Sequence, residues 1–78
     1  MIFTNMNLNE IIGKNIKTLR LEKKISQENF AGIAEIDRRY IQSIEKGDRN
    51  ISLNTLYKIS KALGVKMSEI LENIENEL

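Results

Sequence analysis

From Arg38 to Lys46 the chain reads "RRYIQSIEK", and besides Tyr40 five of these side chains can donate hydrogen bonds: Arg38, Arg39, Gln42, Ser43 and Lys46. At 100° per residue, a helix gathers those five on one arc of roughly 140° with no acid among them. Ile41 and Ile44, with Asp37, fall on the opposite side, where the isoleucines must face a core. Tyr40 sits at the border, its ring able to pack while its hydroxyl reaches out. Glu45 lies at the other edge, near the core boundary. A merely solvated helix face normally mixes signs, often as acid–base pairs four residues apart. An arginine fork matches guanine O6 and N7, or a phosphate, with two hydrogen bonds; glutamine suits an adenine edge and serine several bases. An α-helix also fits the major groove of B-form DNA. The arc therefore predicts base contacts by Arg38, Arg39, Gln42 and Ser43.

Flanking residues add backbone contacts. Gln27 opens the preceding helix, where free N–H groups attract a phosphate oxygen; its alternative role is a surface residue beside the Ser26 cap. Tyr40, Lys46, Arg49 and Asn50 are expected to clamp the phosphate backbone, fixing register and making affinity fall with salt. Asp48 interrupts this clamp, so it is not purely cationic. Lys58 and Lys61 read as solvated surface.

The elements that must hold this arc are helical. Apolar residues recur at intervals of three and four, without β-branched alternation. About five helices are expected. The first runs roughly from Leu8 to Lys24, capped by Asn7 or Asn9, with Leu8, Ile11, Ile12, Ile16, Leu19 and, at its edge, Ile25 in its stripe. Ser26 caps a second, with Phe30, Ala31 and Ile33 inward. Asp37 caps a third that ends near Lys46 before Gly47. Ser52 caps a fourth bearing Leu53, Leu56, Ile59 and Leu63, which ends at Gly64. Ser68 opens a fifth, over about residues 69–77, with Ile70, Leu71, Ile74 and Leu78 as its apolar residues. Only two or three residues separate the second helix from the third, the spacing of a helix-turn-helix over about 27–34 and 38–46.

Composition narrows the chemistry. A 78-residue chain without cysteine or histidine has neither disulfide nor thiolate staple, and lacks the commonest general base and metal ligand. No metal, cofactor or small-molecule ligand is expected, and no enzyme. No apolar run approaches the ~20 residues of a membrane span, and "MIFTNMNLNE" lacks the features of a signal peptide. A cytoplasmic protein is expected, with Met6 an alternative start because "MIFTN" joins no pattern. The net charge is only +1. However, residues 67–78 carry four glutamates and no base, which leaves +5 on the first 66. Such asymmetry can separate a cationic working face from an acidic end.

The stretch "SQENFAGIAEIDRRYIQSIEKGDRNISLNTLYKISKALGV" resembles the lambda-repressor-like, Cro-type helix-turn-helix family. With "IGKNIKTLRLEKKIS" before it, the resemblance covers about residues 11–65. It implies an all-α, compact five-helix DNA-binding domain, with Gln27, Arg38, Arg39 and Ser43 at the DNA-reading positions. It further implies a structural ion pair between Arg20 and Glu45, tying the first helix to the third. One departure is Glu35, which stands where many members place a glycine of positive φ; another is the lack of proline after Asn50. The string "DRRYIQSIEKGDRNISL" looks closest to controller proteins of restriction–modification systems.

These readings lead to an expected homodimer on a pseudo-palindromic operator in a prokaryote or phage, associated with the nucleoid. Ile70, Leu71 and Ile74 would form the dimer interface, or else merely close the monomer core. Double-stranded DNA is the expected partner, with RNA polymerase a further one for activation. The alternatives are a prophage-type repressor, an antitoxin repressing its own operon, or a helical protein-interaction module that reads no DNA.

Overall fold

The computed structural model describes residues 7–77; Leu78 and the Met1–Met6 segment, on which two of the expectations above fall, lie outside them. The described residues form α1 (Leu8–Glu22), α2 (Gln27–Ala34), α3 (Arg38–Lys46), α4 (Leu53–Leu63), α5 (Met67–Ile70) and α6 (Ile74–Glu77). No strand occurs among them. Each of the first four helices starts at a side-chain cap. The side chains of Asn7, Ser26, Asp37 and Ser52 accept from the backbone N–H of Glu10, Asn29, Arg39 and Thr55. Each such cap satisfies a donor that the helix itself cannot, worth about 1 kcal/mol.

Around these starts the chain closes one core. Ile16, Phe30, Ile41, Ile44, Ile59, Leu63 and Ile70 are fully or almost fully buried in it, from all five of α1 to α5. Ile74 of α6 is also buried.

Four local expectations are corrected. The first helix ends at Glu22, because Lys24 turns into the left-handed region at φ 57°. In α2 the third inward residue is Ala34, while Ile33 is 59% exposed. Phe30, Ala31 and Ala34 span only 100° of the wheel, which leaves Ile33 on the flank. Leu53 is 75% exposed, since it occupies the first position of α4, before the helix reaches the core. The fifth helix is two single turns, broken where Asn73 takes φ 61°. It starts after Lys66 rather than at Ser68: the Lys66 N–H donates to the Glu69 carboxylate at 3.1 Å.

Candidate nucleic-acid interface

The third helix is held from behind by α1. The two backbones approach so closely that a Cβ added at Gly13 would run into the Ile44 carbonyl oxygen and sit 3.1 Å from that of Glu45. Only glycine permits that crossing. At the end of α3, Gly47 takes φ +83° against Glu10 of α1, whose Cα a Cβ would meet at 2.7 Å. Asn9 then donates to the Asn50 side chain at 2.6 Å, tying the start of α1 to the loop after α3.

Beside this crossing lies the ion pair. Arg20 Nε donates to Glu45 Oε2 at 2.7 Å, and a terminal guanidinium nitrogen to Oε1 at 3.1 Å. The other terminal nitrogen donates to the Ile25 carbonyl at 2.7 Å. The two side chains are 8% and 3% exposed, so the pair is bidentate and removed from water. Gln27 also donates to Glu45 Oε1, at 3.0 Å. A carboxylate paired with arginine only accepts, so this contact fixes which way the Gln27 amide faces. One carboxylate thus anchors α1, the start of α2 and the end of α3. Sequence reasoning found the Arg20–Glu45 pair through a resemblance; the Gln27 link it missed, because nothing in the spacing of Gln27 and Glu45 announces it.

The opposite side of α3 is open. Ile41 and Ile44 are buried, Arg38, Arg39 and Lys46 are exposed, and Gln42 and Ser43 are half-buried between them. The Arg38 and Arg39 side chains make no hydrogen bond or ion pair among the described residues. Tyr40 packs on the core at the border of the arc. The Arg49 guanidinium lies over its ring, 5.3 Å from the centroid, which steadies that cation without neutralising it. The turn that presents α3 holds Glu35 at φ 57°, ψ 44°. The left-handed conformation is therefore kept although a glutamate occupies it, and α3 starts within three residues.

The C-terminal turns divide the expected interface. Ile70 and Ile74 are buried within the protomer itself, at 0% and 8% exposure, which leaves Leu71, at 38%, as the accessible one of the three expected interface residues. Their stripe closes the core, and Asn15 of α1 secures it by donating to the Ile70 carbonyl at 2.8 Å. Glu22, Glu69 and Glu72 line a cleft on that side with Asn15 and Thr18. The charge asymmetry of the sequence thus has a spatial counterpart at the α1–α5 edge.

A helix-turn-helix family model matches residues 16–70 of this chain. Control protein C.MunI of Mycoplasma sp is 50% identical over 66 residues, 83% of this chain and 89% of the relative. Control protein C.BamHI of Bacillus amyloliquefaciens is 42% identical over 67 residues, 85% and 83% of the two chains. Among solved structures, the restriction–modification controller protein C.Esp1396I, a tetramer in complex with its natural 35 base-pair operator, matches with a TM-score of 0.82. The identity there is 34%, over 94% of this chain and 96% of that one. With the helix-turn-helix geometry and the donor face of α3, these matches identify the family: this chain is a helix-turn-helix regulator of the restriction–modification control protein group.

Proposed function

We propose that this protein binds a pseudo-palindromic DNA operator as a homodimer and controls expression of restriction–modification genes. The observation that carries this reading is the outer face of α3, where two exposed arginines that meet no acceptor among the described residues sit on a helix locked from behind. Two such helices about 34 Å apart would enter successive major grooves. Arg38 and Arg39 supply bidentate donors to base edges, with Gln42 and Ser43 between them and closer to the protein. Lys46, Arg49, Asn50 and Tyr40 then act on the phosphate backbone as the chain leaves the groove. Gln27 contributes to the same end with the amide N–H and carbonyl that Glu45 leaves unused.

Leu71, with its exposed apolar side chain, is the part of the last turns that can meet a second protomer. Activation would require a surface that touches RNA polymerase, and the operator-bound dimer would present it upstream of the regulated genes.

Selection of duplexes from a random library, followed by titration of selected and random sequences at several salt concentrations, tests the reading. Preferential, salt-dependent binding of a two-fold symmetric sequence is the expected result. Absence of salt-dependent binding would leave a helical protein-interaction module.

A further inference from the structure

A cleft of about 290 Å³ opens between α1 and α3 and is lined by Lys17, Gln27, Gln42, Glu45 and Lys46. The proposed function uses the last four, three against DNA and Glu45 as anchor. Lys17, on α1, has no part in it. The anionic member of the cleft is already engaged: Glu45 accepts from Arg20 through both oxygens and from Gln27 through one. Lys17 is exposed and its ammonium group has no hydrogen bond or ion pair among the described residues. Lys46 likewise meets no acceptor among the described residues, so two such cations from different helices share one cleft with two amide side chains. Like charges so placed repel unless an anion enters.

The size suits such an anion. The cleft is open to solvent on one side and wide enough to admit a phosphodiester group. Its position suits a nucleic-acid backbone, since Gln42 and Lys46 belong to the outer arc of α3 as well. Around α1, Lys17 lies roughly 150° from the strip of Asn15, Thr18, Leu19 and Glu22, which lines the acidic cleft. The first helix therefore has a cationic flank toward α3 and an acidic flank toward α5.

We propose that Lys17 and Lys46 grip one backbone phosphate of bound DNA, with the Gln27 and Gln42 amides as the polar walls of the site. This assignment rests on the DNA-binding function proposed above and adds a contact from α1, outside the helix-turn-helix. Because Gly13 and Arg20 lock α1 onto α3, a phosphate held by Lys17 would set how deeply the third helix enters the groove.

The test titrates the full chain and its K17Q, K17R and K58Q variants on a selected and a random duplex across a range of salt. Lys58 is a solvated lysine on α4 and serves as the control for bulk charge. Salt-dependent binding by the unsubstituted protein is the test of the DNA-binding function itself, and its absence would remove that function and this site together. Where that binding is present, K17Q should weaken both duplexes alike. It should also flatten the slope of log affinity against log salt by about 0.9 for each Lys17 engaged. K17R and K58Q should keep the original slope. An unchanged slope in K17Q overturns the proposal, as does equal flattening by K58Q. A loss confined to the selected duplex also overturns it, because Lys17 would then read a base. Unchanged thermal midpoints, expected for an exposed lysine, exclude a folding effect.

Discussion

Arg20 of α1 meets α3 at its buried edge, whereas Arg38 and Arg39 stand on the open face of α3, and their surroundings differ. Arg20 is buried, and its guanidinium is shared between Glu45 and the Ile25 carbonyl. Arg38 and Arg39 are exposed and meet no acceptor among the described residues. The same fork of donors therefore serves two ends: on the buried edge it fixes α3 to α1, and on the open face it remains available to an acceptor from outside. The rigidity of the first is what gives the second a defined direction, because side chains on a loosely held helix could not present a pattern.

The largest expected effect lies on the buried edge. Glu45→Ala strands the Arg20 guanidinium without its carboxylate and frees Gln27, and loss of one partner of a buried pair costs about 3–5 kcal/mol. Urea unfolding should show a lower midpoint at constant slope. A loss below about 1 kcal/mol, typical of exposed pairs, would mean that the two sides of α3 are not energetically distinct.

The open face should behave in the reverse way. Arg38→Ala and Arg39→Ala should leave stability within about 0.5 kcal/mol while weakening the selected duplex by about 1–3 kcal/mol each. Discrimination against single base changes should relax at the positions they read. Equal losses on selected and random duplexes would convert both residues to phosphate clamps and leave Gln42 and Ser43 as the readers.

Between the two sides lies the helix crossing. Gly13→Ala places a methyl against the Ile44 carbonyl, and such overpacking costs about 1–3 kcal/mol. Helix propensity returns about 1 kcal/mol, so a net loss of up to about 2 kcal/mol is expected by denaturant titration. A stabilised variant would show that α1 and α3 are free to separate.

Gly13 also illustrates what was legible in the sequence. The outer arc of α3 could be read directly, since Ile41 and Ile44 at a three-residue interval fix which way a helix turns. The caps could be read too, because Ser26, Asp37 and Ser52 each precede apolar residues at helical spacing. Ile33 could not: "FAGIA" is apolar nearly all round, and periodicity cannot choose a side where polar residues are missing. Ile70 and Ile74 show a related limit. An apolar stripe on a terminal helix has the same pattern whether it meets its own core or a second protomer, and only the observed packing distinguishes them. Gly13 itself lies in a helix without a visible reason, because a close crossing depends on residues some 30 positions away. Lys17 and the Gln27–Glu45 contact escaped notice for the same cause: they are products of helix–helix geometry rather than of spacing along one helix.

The smallest expected effect belongs to the turn that joins the buried and open sides. Glu35 is exposed and holds a left-handed conformation, which costs an L-residue about 1–2 kcal/mol. Glycine relieves that strain but adds about 0.5–1 kcal/mol of chain entropy to be lost on folding. Glu35→Gly should therefore stabilise the protein by roughly 0.5–1 kcal/mol, a rise of a few degrees in Tm for a domain this small. Affinity for the selected duplex should stay the same, because the turn already has the geometry that glycine prefers. A fall in Tm would mean that the glutamate side chain holds the turn. A gain in Tm accompanied by weaker DNA binding would mean that the angle between α2 and α3 depends on the strain itself, so that the turn, and not only the Arg20–Glu45 edge, sets the direction in which Arg38 and Arg39 point.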